Sequence, residues 1–253
     1  MIPVKENIKD RRAFSRRKSD NVGGKKGKLI VIEGTDGSGK FEQVKKLTKR
    51  LHGLGMKYKV LDFPRYGRGS AYFLEKYLRG EYGGLGEVTP EQASIFYALD
   101  RFDDRRELKN WLKRGHLVLS NRYVASNMAH QGAKISSRKE RVKFLNWLDN
   151  LEYGILGIPR PDLNLVLYVP AKIGQKLVDK KGKSSRKYLG GKRRDLHEKN
   201  LKYLNKTQKV YLDLVRIFPK QFRLINCMEK ERLLSIGEVH DKVWREVRRF
   251  VKA

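Results

Sequence analysis

Residues 28–47 read KLIVIEGTDGSGKFEQVKKL, and how they are read decides the fold. KLIVIE is a nearly continuous apolar run rich in β-branched residues, the pattern of a strand covered on both faces of a parallel sheet. Beyond GTDGSGK the period changes: Val44, Leu47 and Leu51 recur at spacings of three and four, which marks a helix, with Gly53 and Gly55 as its stop. A glycine-dotted turn between such a strand and such a helix lets successive N–H groups converge on phosphate oxygens, while the helix N-terminus and Lys40 add positive charge. Residues Gly34, Thr35, Asp36, Gly37, Ser38, Gly39, Lys40 and Phe41 therefore form a candidate phosphate loop. Its last position is unusual, because loops of this kind carry Ser or Thr there to hold magnesium.

Outward from this stretch the alternation of strand and helix repeats. KYKVLD, HLVLSN, DLNLVLYV and FRLIN read as further strands. The segments between and after them read as helices: SAYFLEKYLRG, a long helix capped by Thr89 and Pro90 and stopped by Gly115, SRKERVKFLNWLDNLEYGIL, DLHEKNLKYLNKTQKVYLDLVRIF and IGEVHDKVWREVRRFV. Five strands joined by helical crossovers predict an α/β domain with a parallel five-stranded sheet flanked by helices, a P-loop NTPase-like three-layer fold. The domain spans 28–253, and residues 1–27, with little apolar periodicity, read as a flexible basic extension.

A formal charge of +30 favours polyanionic partners: nucleic acid, an anionic membrane face or phosphorylated small molecules. Charge alone does not choose among them. No apolar run approaches the roughly 18 residues of a membrane span, no secretory signal is recognisable, and the single Cys227 excludes an intrachain disulfide framework, so a cytoplasmic protein is expected. The five histidines lack ligand spacing.

In a doubly wound sheet, ligands bind beyond the carboxyl ends of the strands, so the segments that follow them carry the candidate site. DFPRYG offers Phe63 and the forked guanidinium of Arg65. Tyr97 and Arg101 stand four apart on one helix face, an arrangement that serves either a base and its phosphate or core and rim. NRYVASNMAHQG crowds Arg122, Ser126, Asn127 and Gln131 into what reads as a polar connection. KKGKSSRKYLGGKRRD reads as a basic flap, about 172–194, able to close over transferring phosphates.

In this order, these motifs resemble the thymidylate kinase family from about Lys28 onward. The resemblance implies transfer of the γ-phosphate of ATP to thymidine monophosphate, with Mg2+, by a homodimer. It makes residues 34–41 the ATP loop, with Asp36 also meeting the sugar of the acceptor, and Phe63, Arg65, Tyr97, Arg101, Arg122, Ser126, Asn127 and Gln131 the acceptor site. The flap becomes a lid, with Asp195 and Glu198 at the start of the helix after it. Gly37 stands where one branch of the family has a loop arginine, so Arg186, Arg193 and Arg194 imply the lid-arginine branch, catalysing alongside Lys40 and Arg122. Two positions depart from the pattern: Phe41 replaces Ser or Thr, and Asn121 replaces an aspartate before Arg122. Both lost groups are oxygen ligands suited to magnesium, for which Glu42, Asp36 or Glu33 are candidate substitutes. The alternative is a nucleotide-binding protein of the same fold with little catalysis, a sensor or a basic nucleic-acid binder.

Overall fold

The computed structural model describes residues 26–180 and 200–251. β1 (Lys28–Glu33), β2 (Tyr58–Asp62), β3 (Leu117–Asn121), β4 (Leu163–Tyr168) and β5 (Phe222–Asn226) form one parallel sheet in the order β2-β3-β1-β4-β5. β1 lies at its centre, and alternate residues serve opposite faces. Leu29 and Val31 enter the core built with α3 (Pro90–Lys113), α4 (Val124–Gly132), α5 (Arg138–Asp149) and α7 (Leu201–Ile217). Ile30 and Ile32 enter the other, built with α1 (Lys40–Gly53) and α8 (Ile236–Val251). The expected three layers result, and the unbroken apolar run of β1 is explained by burial on both sides.

Gly27 also belongs to the folded part, since its N–H donates to Leu112 O at 2.8 Å and a Cβ there would lie 2.2 Å from His116 O. The long α3 begins as expected, with a reciprocal Thr89–Gln92 capping box and Pro90 in its first turn. α2 (Tyr72–Arg79) packs Leu74, Tyr77 and Leu78 against Ala93 of α3.

Four segments differ from the sequence expectation. The polar stretch after β3 is not a loop but α4, buried at all nine positions. Enclosed on all sides, it has no solvent face and so no amphipathic period to read. The beginning of the expected lid is helical, as α6 (Ala171–Lys180). Asn200 caps α7, its Oδ1 accepting from Tyr203 N at 3.0 Å, so that helix starts at Leu201. The helix containing residues 138–149 passes into a π-helical turn, Asn150–Ile155. A small hairpin, β6 (Met228–Glu229) with β7 (Arg232–Leu233), turns at Lys230, which has φ 52°.

Candidate active site

The loop after β1 is shaped by glycines whose backbone no other residue adopts cheaply. Gly39, at the N-cap of α1, has φ 88° and no capping side chain, which leaves the first N–H groups of α1 open to an anion. Gly37 has φ 79°, and a Cβ on it would lie 2.0 Å from Gly174 O, while a Cβ on Gly174 would lie 2.6 Å from Asp36 O. Loop and α6 thus meet backbone to backbone. An arginine at position 37, as in the other branch of the family, has no room here. Thr35 Oγ1 and Ser38 Oγ are buried without a partner among the described residues, as expected of groups that meet a ligand. Lys40 is buried, its Nζ donating to Gly34 O at 3.0 Å and Thr35 O at 2.9 Å. Phe41 is 56% exposed in the first turn of α1, so it supplies no oxygen ligand and fills no space under the loop.

Arg122, just past β3, has φ 64°, a left-handed conformation that costs a non-glycine residue about 1–2 kcal/mol. Its guanidinium bridges the loop and α4: it donates to Gly34 O at 3.3 Å, to Ser126 Oγ at 3.1 Å and to Asp36 Oδ1. Burial would raise the Asp36 pKa, but Arg122 and Lys40 outweigh it and hold the carboxyl well below the usual range. Beneath Arg122, fully buried Glu33 accepts from Tyr123 N at 2.9 Å, Ser126 N at 3.2 Å, Ser126 Oγ at 2.5 Å and Tyr211 Oη at 3.0 Å. Burial lifts its pKa, against the pull of Ser126, Arg122 and Tyr211. Glu33 is thus a strut for the start of α4, with no oxygen to spare for a metal.

A cleft opens beside Arg122. Phe63, Pro64 and Tyr66 come to it from the loop after β2, Tyr97 and Arg101 from α3, and Asp36, Ser126 and His130 from the far wall. Of the residues expected in the acceptor site, Arg65 is not on this wall. It is drawn against α3, where it donates to Asp100 Oδ1 at 3.3 Å, to Asp103 Oδ2 at 2.5 Å, to Asp104 and to Ser70 Oγ at 2.9 Å. Asn127 and Gln131, on the same helix as Ser126 and His130, are not among the residues that line the cavity and are buried; Asn127 Oδ1 and both amide atoms of Gln131 have no partner among the described residues.

Sequence reasoning passed over four groups. Tyr66 lines the cavity where Arg65 was expected. His130 also lines it, its pKa lowered to about 3 by burial and by Arg122. Glu152 meets Arg101, and Asp62, at the end of β2, accepts from Asn121 Nδ2 at 2.7 Å. For Asp62 the sequence signal is its place at the end of the expected strand KYKVLD, and the register sets it opposite Asn121 in the sheet. Glu42 lies partly exposed in the first turn of α1. Arg186, Arg193 and Arg194, with Asp195 and Glu198, lie outside the described residues, as does all but the first part of the lid.

Three comparisons bear on this arrangement. The family model for thymidylate kinase matches residues 32–242. The Mycobacterium tuberculosis thymidylate kinase is 33% identical over 187 residues, covering 74% of this chain and 85% of that protein. A probable thymidylate kinase of Pyrococcus abyssi is 26% identical over 219 residues, covering 86% of this chain and 94% of that one. Among solved structures, thymidylate kinase from Candida albicans shares the fold with a TM-score of 0.67 at 21% identity, over 88% of this chain and 92% of the other.

Proposed function

The chain belongs to the thymidylate kinase family, and from that premise we propose that it transfers the γ-phosphate of ATP to thymidine monophosphate, giving thymidine diphosphate. The observation that carries this reading is Arg122, which touches the phosphate loop through Gly34 and Asp36 while lining the cavity that holds Tyr97 and Arg101. A donor phosphate over the loop and an acceptor phosphate in the cavity would share this guanidinium. In-line phosphoryl transfer needs such alignment and charge neutralisation, and no covalent intermediate.

In this reading ATP lies against residues 34–41, where Lys40 exchanges its carbonyl partners for phosphate oxygens and the free hydroxyls of Thr35 and Ser38 find acceptors. Arg186, Arg193 and Arg194 bring lid charge to the transferring group, as in the lid-arginine branch. On the acceptor side Tyr97 stacks on the base with Phe63 beside it, Asp36 meets the sugar, and Arg101, Asn127 and Gln131 read the base edge. Arg65, committed to three carboxylates, holds the loop that presents Phe63 and Tyr66, and reaches phosphate only by giving up some of them.

A magnesium ion would supply charge neutralisation at the transferring phosphates. The residues present fit it. Asp62 is exposed, Asn121 Nδ2 holds its Oδ1, and its other oxygen has no partner among the described residues. It also lies within the fields of Lys40 and Arg122, close to the phosphate site. Asp36 holds Arg122 and Lys40 through Oδ1 and lines the acceptor cavity, where it is assigned to the sugar, which makes Asp62 a better substitute than Asp36 or Glu33 for the aspartate missing at 121. Among the described residues no cage of three or more His, Cys, Asp or Glu exists, so the ion would lean on nucleotide and water.

A homodimer is supported by an apolar stripe on α3, Ile95, Leu99 and Phe102, exposed beside Tyr72 and Phe73 of α2. It lies at helical spacing from the face that carries Tyr97 and Arg101, so α3 serves the cavity on one side and a second copy on the other. No helix among the described residues is long and apolar enough to cross a membrane. For compartment we propose the cytoplasm, in keeping with a single cysteine whose thiol is buried and pushed up to about 11. A nucleotide binder without catalysis is not favoured, since it leaves the meeting of Lys40, Arg122 and the cavity without a purpose.

ATP consumption measured across the nucleoside monophosphates tests the function. Thymidine monophosphate should be the best acceptor, and faster turnover of a purine monophosphate under the same conditions would overturn the assignment.

A further inference from the structure

Glu152 is fully buried inside the π-helical turn at 150–155, a local geometry frequent at functional sites. Its carboxylate accepts from Arg101 Nε at 2.6 Å, from Arg101 Nη2, and from Asn127 Nδ2 at 3.0 Å. The same Asn127 Nδ2 donates to Ser94 O at 3.1 Å. An amide whose nitrogen faces two acceptors cannot be turned over, because its oxygen would then face a carboxylate and a carbonyl. Asn127 Oδ1 is thereby fixed on the other side, where it is buried and lacks a partner among the described residues. The Arg101 fork is fixed in the same way. Nε and Nη2 are used by Glu152, and Nη1 has no partner among the described residues, in a side chain that lines the cavity.

We propose that Glu152 is a positioning residue that sets the hydrogen-bond polarity with which the site reads the base. A carboxylate only accepts, so it consumes donors and leaves one acceptor, Asn127 Oδ1, and one donor, Arg101 Nη1, without a partner among the described residues. That pair complements a base with a ring N–H next to a carbonyl oxygen, as in thymine. It opposes cytosine, whose ring nitrogen accepts and whose exocyclic amine donates. A neutral amide at 152 offers a donor as well as an acceptor, so Ser94 O alone would then hold the orientation of Asn127. The proposal rests on the reading that Arg101 and Asn127 meet the base, and it adds what fixes their polarity.

The test is the ratio of kcat/KM for thymidine monophosphate over deoxycytidine monophosphate, measured in the natural protein and in Glu152→Gln, Glu152→Asp and Asn127→Ala. In Glu152→Gln the ratio should fall about tenfold to a hundredfold, because the cytosine edge is no longer met by fixed groups of the wrong sense. Glu152→Asp keeps the charge that Arg101 needs but withdraws from Asn127, so the ratio should fall less; it decides the matter if the glutamine variant does not fold. A purely structural Glu152 would lower stability and both activities together. A ratio unchanged in the Glu152 variants but collapsed in Asn127→Ala would overturn the role of Glu152 alone. A ratio unchanged in Asn127→Ala would overturn the base-reading assignment beneath it.

Discussion

At residue 121 an asparagine stands where the family pattern has aspartate, and the nearest carboxylate lies one strand over, on Asp62, held by that asparagine at 2.7 Å. Asn121→Asp would set two carboxylates against each other. Without metal, the repulsion and the lost hydrogen bond should lower stability by about 1 kcal/mol. Magnesium should restore the loss, and the magnesium midpoint for ATP binding should drop. Thermal unfolding with and without magnesium, and calorimetric titration of ATP, would read both; if Asp62→Asn leaves the midpoint where it was, the pair has no part in holding the ion. His130 gives a second residue-scale expectation. Its folded pKa is lowered to about 3 by burial first and Arg122 second, whereas the unfolded histidine takes up its proton near 6.5. Between those values the unfolded chain binds the extra proton, so the contribution of neutral His130 is complete above 6.5 and is lost as pH falls, by up to about 1.4 kcal/mol per pH unit. Glu33, with a raised pKa, acts in the opposite sense, losing stability as pH rises above 4.5. The informative quantity is therefore the difference between proteins. Urea unfolding of His130→Gln should show an acid limb flatter than the natural protein's by about 1–2 kcal/mol between pH 6.5 and about 4.5; parallel limbs would mean the buried imidazole is not what senses acid.

At the scale of elements, the phosphate loop and α6 are joined through Gly37 and Gly174, with no room for a Cβ on either. The contact ties the first turn of α6, where the expected lid begins, to the loop proposed to hold ATP. It also gives a steric reason why this chain cannot carry its arginine in the loop. Gly174→Ala should push the loop at Asp36 aside, and a displacement near 1 Å at a reacting phosphate costs on the order of a hundredfold in turnover. Steady-state kinetics would show it, together with a raised KM for ATP, while unfolding of the central sheet stays nearly unchanged. Normal kcat and KM in that variant would mean the contact yields at no cost. Elements were legible in the sequence where one side faced solvent or where burial made an unbroken apolar run, as in β1 and α8. α4 was not legible, because Ser126, Asn127, His130 and Gln131 are polar and buried together, so neither period nor polarity betrays a helix. Glu152 was hidden for a related reason: a charge on a helix normally signals solvent, and only its pairing with Arg101 reveals that it is inside. The glycine loop, Arg122 and Tyr97 could be picked out as candidates because short local spacing marks each of them, while the partners that orient them come from distant segments.

For the whole molecule, a net charge of +30 bears on self-association. Two copies so charged repel at long range, and the attraction offered to a second copy is the apolar stripe of Ile95, Leu99 and Phe102 with Tyr72 and Phe73. The apolar term is insensitive to moderate salt, whereas the repulsion is screened as the Debye length shrinks from about 10 Å at 0.1 M toward about 3 Å at 1 M. Dimerisation should therefore tighten as salt is raised. Binding to a nucleic acid through the same basic surface has the opposite sign, because it releases counterions and weakens with salt. The two processes are thus separable by one variable. Sedimentation velocity across a salt series should show a dimer that strengthens with salt, and Leu99→Asp, which buries a charge in the stripe, should yield monomer at every salt concentration. Because Leu99 lies on the helix that carries Tyr97 and Arg101, the monomeric variant should also show a raised KM for thymidine monophosphate, with the KM for ATP little changed. A natural protein that stays monomeric at high salt and at tens of micromolar would remove the stripe from consideration as a contact between copies.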